Sequence, residues 1–396
     1  MVVGPERMAA RYAVRQEKIE LPAEVALVKA VAYDPTALDT ALDGVLGLLG
    51  GLERFVKPGM RVLIKPNLLS AKGPDRTITT HPELTAAVAR RVRRLGATVQ
   101  IGDSPAGAKA GIQRVWDNTG LSEVADRDGL ELISLEKSGT VPRAVATRVF
   151  HVARPVLEAD LVINLPKLKT HVLTLMTAAV KNTFGVIPGF RKGMYHKEAP
   201  NPSAFARIVV DIFSLVQPGL TIIDAIDVME GDGPASGERR FAGMLLASAD
   251  AVAADTVAAH LIGLPPGKTL TTRYAAESGL GIGWLEGIRV VGENVNSMRI
   301  ADFRLTSNRK MELLPKFLFD LVGPLLWLRP KVDPAKCTLC GDCVKSCPVK
   351  ALHQADKYSY PVVDDRRCIN CWCCHEICPS KAVFIDKSWL ARHFIR

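Results

Sequence analysis

The sequence predicts an α/β protein built on a mainly parallel, doubly wound sheet, followed by a small cysteine-rich domain at the C-terminus. Two observations predict this fold. Short β-branched runs alternate with longer helical patterns from Val25 onward, and all nine cysteines are confined to the segment from Cys337 to Cys378. Strands that alternate with helices need crossover connections, so the strands run parallel and helices cover both faces of the sheet.

The predicted elements follow one another in a regular order. The first segments read as strand, helix, strand, helix and strand: VALVKAVAY, TALDTALDGVLGLLGGLERFV, MRVLIKPNLL, HPELTAAVARRVRRLGA and TVQIGDSP. The alternation resumes with LELISLE, LVINLPK, a helix over 205–216, LTIIDAI, MLLASAD and the helix AVAADTVAAHLIG. An open parallel sheet binds its ligand at the carboxyl ends of its strands, so residues that follow a strand are the candidates for a site.

Four segments are predicted along the 396 residues. An N-terminal extension covers 1–24, the α/β domain 25–310, an apolar amphipathic connector 311–330 and the cysteine-rich domain 331–396. The division follows from the weakening of the strand–helix pattern and from the position of the cysteines.

Composition and motifs exclude several classes of protein. The net charge is +10, but the basic residues are scattered and no zinc-finger, RNP or homeodomain pattern occurs, so no nucleic-acid partner is expected. The apolar stretch from Leu313 to Leu328 is interrupted by charges and a proline, which predicts no transmembrane segment. The N-terminus has no apolar core between its charges, which predicts a cytoplasmic protein without a secretory signal. GLPPGKT has the wrong glycine spacing for a phosphate-binding P-loop.

The cysteines form two runs of the same spacing, C-x2-C-x2-C-x3-C-P, which begin at Cys337 and Cys368. Three thiolates at these spacings can hold three irons of one 4Fe-4S cube, while the fourth, before a proline, points to the other cube. Disulfides would suit a secreted chain, and structural zinc has no need of two identical runs. The spacing therefore predicts two 4Fe-4S clusters.

This domain resembles a two-cluster bacterial-type ferredoxin from Lys331 to about Asp386. The resemblance implies one ligand set for each cluster: Cys337, Cys340, Cys343 and Cys378 for the first, and Cys368, Cys371, Cys374 and Cys347 for the second. Cys373 departs from the spacing, so we expect it to be a neighbour that does not bind iron.

A cationic segment follows the strand LVINLP. Lys167, Lys169, His171, Lys181 and Asn182 occur within it among Leu, Val, Met and Phe, which indicates a partly buried setting. Buried ammonium groups need anionic partners or a lowered pKa, so this segment is predicted to be a functional site rather than a solvated surface. Beside the lysines, His171 is a candidate proton donor.

A second segment, IIDAIDVMEGDGPASG, carries clustered carboxylates after an apolar strand. Asp224, Asp227, Glu230 and Asp232 can hold a hard cation or orient a lysine, and they can equally cap the next element. Asp103, at the end of TVQIG, can join them or make a turn with Ser104.

Five motifs, KPNLL, GDSP, NLPKLKTH, KNTFG and MEGDGP, together resemble the family catalogued as domain of unknown function 362, over Val25 to Gly292. Such domains often carry a ferredoxin module at one end. The family has no settled reaction, so the resemblance implies only that these motifs form one site. The predicted catalytic residues are His171, Lys169 and Lys181, and the predicted substrate-binding residues are Lys65, Asn67, Asp103, Ser104, Lys167, Asn182, Asp224 and Glu230.

The leading functional hypothesis is an iron-sulfur oxidoreductase that passes electrons from a donor protein through two 4Fe-4S clusters to a small, anionic substrate in the α/β crevice. The first alternative is an electron-transfer adaptor that docks a partner enzyme, which predicts a broad apolar patch and no convergent polar pocket. The second is a binding or maturation protein whose ferredoxin part is structural or regulatory. Whether a divalent cation or a flavin shares the crevice is left open by the sequence.

Overall fold

The computed structural model describes residues 23–105, 111–171, 173–189, 191–199, 201–265, 267–306, 328–347, 349–370 and 372–389. Nearly all of the predicted N-terminal extension and most of the predicted connector lie outside the described residues, as does the predicted ligand Cys371.

Strands and helices alternate through most of the chain. The strands are β1 (Ala23–Lys29), β2 (Arg61–Pro66), β3 (Thr98–Asp103), β4 (Glu131–Ser134), β5 (Thr140–Val145), β6 (Arg148–Ala153), β7 (Leu161–Leu165), β8 (Lys167–His171), β9 (Leu175–Thr177), β10 (Leu220–Glu230), β11 (Glu238–Ser248), β12 (Ile288–Gly292), β13 (Leu328–Val332), β14 (Leu352–His353), β15 (Val362–Val363) and β16 (Val383–Lys387). The α-helices are α1 (Pro35–Gly47), α2 (Pro82–Arg94), α3 (Ile112–Asn118), α4 (Leu121–Asp128), α5 (Arg154–Glu158), α6 (Ala179–Asn182), α7 (Arg191–Glu198), α8 (Pro202–Val216), α9 (Ala251–Leu261), α10 (Leu270–Glu277), α11 (Asp342–Ser346) and α12 (Cys373–Ile377).

The central sheet has the order β12-β1-β11-β10-β7-β2-β3-β4, with β8 paired to β10 and β9 paired to β8. Its pairs are parallel except those of β11, which is antiparallel to both β1 and β10, and the antiparallel pair of β8 and β9. The prediction of a mainly parallel α/β sheet is therefore confirmed. Strands β3 and β4 lie on one side of β2, and the later strand β7 lies on its other side. The direction in which successive strands are added therefore reverses at β2. Ligand crevices in open α/β sheets form at the carboxyl ends of the strands at such a reversal.

Helices cover both faces of the sheet. Val62 and Ile64 of β2 pack in the core beneath α1 and α2, whereas Leu63 packs in a second core with Phe205 of α8. This alternation follows from the two-residue period of a strand, which sends successive side chains to opposite faces. All residues of β10 are buried, as expected for a central strand covered on both sides.

The Thr-rich stretch between His171 and Lys181 contains a turn and a short strand. His171 Nδ1 accepts hydrogen bonds from the backbone N–H groups of Leu173 (3.1 Å) and Thr174 (3.3 Å), which closes the turn. Strand β9 then pairs antiparallel with β8. Helix begins only at Ala179, so Lys181 comes from a short helix rather than from a long one.

The C-terminal residues 328–389 form a compact unit, the cysteine domain, in which the two cysteine runs adopt the same structure. Each residue of the first run corresponds to the residue 31 positions later. Helices α11 and α12 correspond, and the left-handed residues Leu339, Gly341 and Lys350 are matched by Asn370, Trp372 and Lys381. The repeat in sequence is therefore also a structural repeat.

Over the described ranges, the structure has no helix that is long and apolar enough to cross a membrane.

Candidate functional site

A cavity of about 300 Å³ lies at the carboxyl ends of β2 and β3, beside the β8–β9 hairpin. Helices α6 and α7 contribute to its wall, and two residues of the cysteine domain close one side. It contains many of the residues predicted from the sequence: Asn67, Asp103, Ser104, Lys169, His171, Lys181 and Asn182. The strand-end argument thus leads to one site assembled from segments far apart in the chain.

A buried ion pair lies beneath this cavity. Lys65 Nζ is 2.7 Å from Asp103 Oδ1, and the two side chains are 1% and 2% exposed. Asp103 Oδ2 also accepts a hydrogen bond from the Leu68 backbone N–H at 2.7 Å, which holds the loop after β2 against the cavity. Burial lowers the pKa of Lys65, while Asp103 acts in the opposite direction. Lys65 therefore supports the cavity wall through Asp103 without lining it.

Gly185, the last residue of the KNTFG motif, allows the chain to pass close to this ion pair. A Cβ at Gly185 would lie 2.2 Å from Asp103 Oδ1 and 2.7 Å from Lys65 Nζ. Such distances are shorter than van der Waals contact, so no larger residue fits without moving the pair. The glycine is explained by this close approach.

Two lysines reach the cavity from different elements. Lys169 of β8 is almost fully buried, and its Nζ donates to the Ile78 carbonyl at 2.5 Å. Lys181 lies on α6, which is held at its N-terminus by Asp255, whose carboxylate accepts the N–H groups of Ala179 (2.5 Å) and Val180 (3.0 Å). The cap fixes the direction of the short helix and thereby the position of Lys181.

His171 differs from the expected proton donor. Its Nδ1 accepts two backbone N–H groups, so the neutral ring carries its proton on Nε2. Burial, followed by Lys181, His196 and Lys169, lowers the pKa of His171 well below its ordinary value. The sequence indicated a partly buried setting but not this complete burial among cations. His171 can donate a hydrogen bond from Nε2, but it is not an imidazolium acid at neutral pH.

The sequence analysis missed a polar group on the opposite wall. Lys192 of α7 donates to Ser104 Oγ at 2.5 Å, and Ser104 donates to Glu136 Oε1 in a short hydrogen bond. Burial lowers the pKa of Lys192, while Glu136 and Asp103 raise it and Lys65 lowers it. Glu136 follows β4, so the rule that led to Asp103 could have found it. Lys192 lay in a segment without a strand or motif to mark it.

His196 and Phe184 complete this side of the cavity. Burial lowers the pKa of His196 to about 3, and the ring stacks on Phe205 with centroids 4.2 Å apart. His196 is therefore a neutral aromatic wall at physiological pH.

The structure does not bring Lys167, Asp224 and Glu230 to the cavity. Lys167 Nζ is 3.0 Å from Asp224 Oδ2 and 2.8 Å from the Tyr33 hydroxyl, which in turn donates to Asp224 Oδ1 at 2.7 Å. Glu230 is paired with Arg304 at 2.8 Å. These carboxylates were expected to bind a hard cation, to orient a lysine or to cap the next element. The contacts of Asp224 and Glu230 favour the second role, because each carboxylate pairs with a cationic side chain. Within the described residues, no three His, Cys, Asp or Glu side chains converge on a single metal ion.

Within the part of the chain that the structure describes, three polar atoms in the cavity wall are buried without a hydrogen-bond partner. They are Asn67 Oδ1, Thr177 Oγ1 and Ser346 Oγ. A buried polar atom that lacks a partner costs about 1–3 kcal/mol. A ligand in the cavity would satisfy these atoms.

The cysteine domain packs directly on the α/β domain at this place. Arg114 is 2.5 Å from Asp342 at the start of α11, and Ser236 Oγ is 3.1 Å from His375 Nε2 in α12. Ser346 and Cys373 line the cavity. Cys373 corresponds to Asp342 in the structural repeat, so both runs turn the first residue of their helix toward the α/β domain.

Four of the remaining cysteines lie together within the cysteine domain. The four predicted ligands of the first cluster line one small cavity within the domain: Cys337, Cys340, Cys343 and Cys378. The fourth cysteine of each run accepts a backbone N–H, from Ala351 to Cys347 Sγ at 3.1 Å and from Ala382 to Cys378 Sγ at 3.2 Å. Hydrogen bonds to sulfur are a usual means of tuning iron-sulfur clusters. The described cysteines therefore fit a 4Fe-4S cluster.

Comparison with known proteins finds two family models that match separate parts of the chain. Residues 62–260 match the family model described as a domain of unknown function, DUF362, and residues 329–379 match a 4Fe-4S dicluster domain. A thylakoid-associated protein of Synechocystis sp. is 37% identical over 254 residues, which are 64% of this chain and 78% of the relative. The predicted cytoplasmic location stays a prediction.

One solved structure with a partial likeness is the lactate racemase apoprotein from Thermoanaerobacterium thermosaccharolyticum. The two share 12% sequence identity with a TM-score of 0.37, over 54% of this chain. The chain spans about half of the length of that protein, 52%.

Proposed function

This chain belongs to the family of the domain of unknown function DUF362 and carries a 4Fe-4S dicluster domain, and from that premise we propose that it is an iron-sulfur-dependent oxidoreductase. Two 4Fe-4S clusters receive electrons from a low-potential donor protein. The electrons reduce a small anionic substrate bound in the cavity at the carboxyl ends of β2 and β3.

The observation that carries this proposal is the wall that the cysteine domain contributes to the cavity. Ser346 lies between Cys343 and Cys347 in the chain, and Cys373 is next to Cys374. A substrate in contact with Ser346 and Cys373 therefore lies within one residue of cluster ligands from both runs. Clusters supply one electron at a time, and this proximity gives electrons a short path to the substrate.

The charges of the cavity support an anionic substrate. Lys169, Lys181 and Lys192 line it, against the carboxylates of Asp103 and Glu136, and Lys65 is paired with Asp103. Ammonium groups in a partly dry site are stabilised by a bound anion and in turn hold it. His171 Nε2–H adds a neutral donor that can stabilise negative charge developing during reduction.

The proton that accompanies reduction is assigned to Lys192 rather than to His171. Its ammonium contacts Ser104, and Ser104 contacts Glu136, whose side chain is 21% exposed and can exchange protons with solvent. Because the pKa of Lys192 is lowered, its ammonium releases a proton more readily than that of an ordinary lysine.

The cavity favours this function over an adaptor that only docks a partner enzyme. An adaptor predicts an apolar surface without a convergent polar pocket. Here cationic side chains and unsatisfied hydroxyl groups line one cavity. The alternative of a binding protein with a structural ferredoxin part differs in one testable respect, because it predicts that the redox state of the clusters does not respond to the ligand.

The test is a single-turnover reduction under anaerobic conditions. Protein with pre-reduced clusters is mixed with a panel of small organic acids, and reoxidation is followed by cluster absorbance. Lys169→Ala and Lys181→Ala should weaken binding, His171→Ala should slow turnover more than binding, and all three should retain iron. Lys57→Ala, an exposed lysine outside the cavity, is the matched control. Unchanged rates in all three cavity variants would move the site elsewhere.

A further inference from the structure

Two unsatisfied hydroxyl groups face the same cavity from different domains. Thr177 of β9 is 3% exposed and Ser346 of α11 is 6% exposed, and neither Oγ has a hydrogen-bond partner within the described structure. Both residues line the cavity at the carboxyl ends of β2 and β3. Buried hydroxyl groups are normally paired, so two unpaired ones in one wall indicate the positions of ligand atoms.

The ionisable groups indicate the charge of that ligand. In the wall and directly beneath it, the described residues place four ammonium groups against two carboxylates: Lys65, Lys169, Lys181 and Lys192 against Asp103 and Glu136. His171 and His196 are neutral, since burial lowers the pKa of both. The excess is two positive charges.

We propose that the cavity binds a compact dianion, held jointly by Thr177 of the α/β domain and Ser346 of the cysteine domain, so that ligand binding is coupled to docking of the cysteine domain. The proposal uses the site of the proposed oxidoreductase and adds the class of its ligand and its regulation. It does not require that the ligand be reduced.

The coupling follows from the contacts that join the two domains beside the cavity. Among the described residues, they include the Arg114–Asp342 ion pair and the Ser236–His375 hydrogen bond. The Ser346 hydroxyl reaches the ligand only while the domain is docked. Coupling is reciprocal, so docking strengthens ligand binding by the factor by which ligand strengthens docking.

Two kinds of dianion share the required chemistry, a dicarboxylate and a phosphate. The cavity also has apolar walls from Leu68, Leu69 and Phe184, which suit the carbon chain of a dicarboxylate more than a bare phosphate. Succinate and inorganic phosphate are therefore the two probes. Acetate, with one charge, serves as the comparison.

The experiment uses the full chain with reconstituted clusters, kept anaerobic. Binding is measured by calorimetry, and the reduced clusters are followed by electron paramagnetic resonance with and without probe. Succinate or phosphate should bind at least about tenfold more tightly than acetate and should change the cluster spectrum. Ser346→Ala and Thr177→Val should each weaken binding by about two- to tenfold, the range of one hydrogen bond, and Ser346→Ala should abolish the spectral change.

Arg114→Ala is the decisive variant, because Arg114 does not line the cavity and is far in sequence from the cysteines. It should weaken dianion binding by about five- to tenfold, through loss of docking alone. Ser359→Ala, in the cysteine domain but outside the cavity, should bind as the wild type does. Iron content is measured for each variant, so that loss of a cluster is recognised as such.

The outcomes separate this inference from the proposed function. The inference is overturned if neither dianion binds, if acetate binds as tightly, or if Arg114→Ala and Ser346→Ala bind like the wild type. Dianion binding with the expected variant effects, but without reduction of any substrate, would support the inference and count against the oxidoreductase. Reduction that is insensitive to Ser346 and Arg114 would support the oxidoreductase and refute the coupling.

Discussion

The Lys65–Asp103 ion pair beneath the cavity is the interaction whose loss we expect to destabilise the fold most clearly. Both side chains are almost fully buried and their charged atoms are 2.7 Å apart. Removing one partner of a buried ion pair leaves the other charge without compensation and costs about 3–5 kcal/mol. Asp103→Asn should therefore lower the free energy of unfolding by about 3–5 kcal/mol at neutral pH.

The size of this loss should depend on pH. In Asp103→Asn, Lys65 Nζ keeps weaker neutral partners, among them the Pro66 carbonyl at 3.2 Å and Asn182 Oδ1 at 3.4 Å. Burial already lowers the pKa of Lys65, and Asp103 opposes that effect, so the pKa falls further without the carboxylate. Between the lowered folded pKa and the unfolded pKa, the unfolded chain binds more protons, so stability rises with pH. The deficit of the variant relative to the wild type should therefore be smaller at an alkaline pH below the ordinary lysine pKa of about 10.4 than at neutral pH.

The assay is urea unfolding followed by far-ultraviolet circular dichroism at both pH values. The double variant Lys65→Met/Asp103→Asn should recover part of the loss, because no charge then remains buried. Asp302→Asn removes an exposed partner of Arg240 and should leave stability unchanged within error. A deficit that is independent of pH, or a double variant no more stable than Asp103→Asn, would refute the reasoning.

Three further predictions concern other parts of the chain. Cys374→Ser should lose iron and labile sulfide from one cluster whereas Cys373→Ser should keep both, and iron analysis with the reverse result would show that the ligand assignment is wrong. Burial raises the pKa of Asp255 to about 7, above the unfolded value of about 4, so the folded state binds the extra proton. The free energy of unfolding that Asp255 contributes should fall by about 2 kcal/mol between about pH 5.5 and 7.5. Urea unfolding of Asp255→Asn should not show this pH dependence. Gly185→Ala should weaken anion binding in calorimetry because its Cβ displaces the Lys65–Asp103 pair, and wild-type affinity would argue against the close approach.

Much of the site was predictable because it follows strand ends. Asn67, Asp103 and Ser104 come directly after buried apolar strands, and a parallel sheet brings such positions together whatever the length of the connections. The same reasoning correctly placed Lys169 and His171 at the cavity, but it also predicted Lys167 there, and Lys167 does not line it. The pairing of β8 with β10 shifts in register between Asp224 and Met229, so neighbouring lysines of β8 meet different partners.

Sequence periodicity and spacing alone determined the alternation of strands and helices, the parallel sheet and the duplicated cysteine runs, because each depends on residues close together in the chain. Tertiary structure decided which charges meet. Tyr33 is 191 residues from Asp224, and Arg114 is 228 residues from Asp342, so no local pattern records these contacts. It also decided that His171 is neutral and that Cys373 faces the cavity, since the free energy of a charge or a polar group depends on burial and on partners brought together by folding.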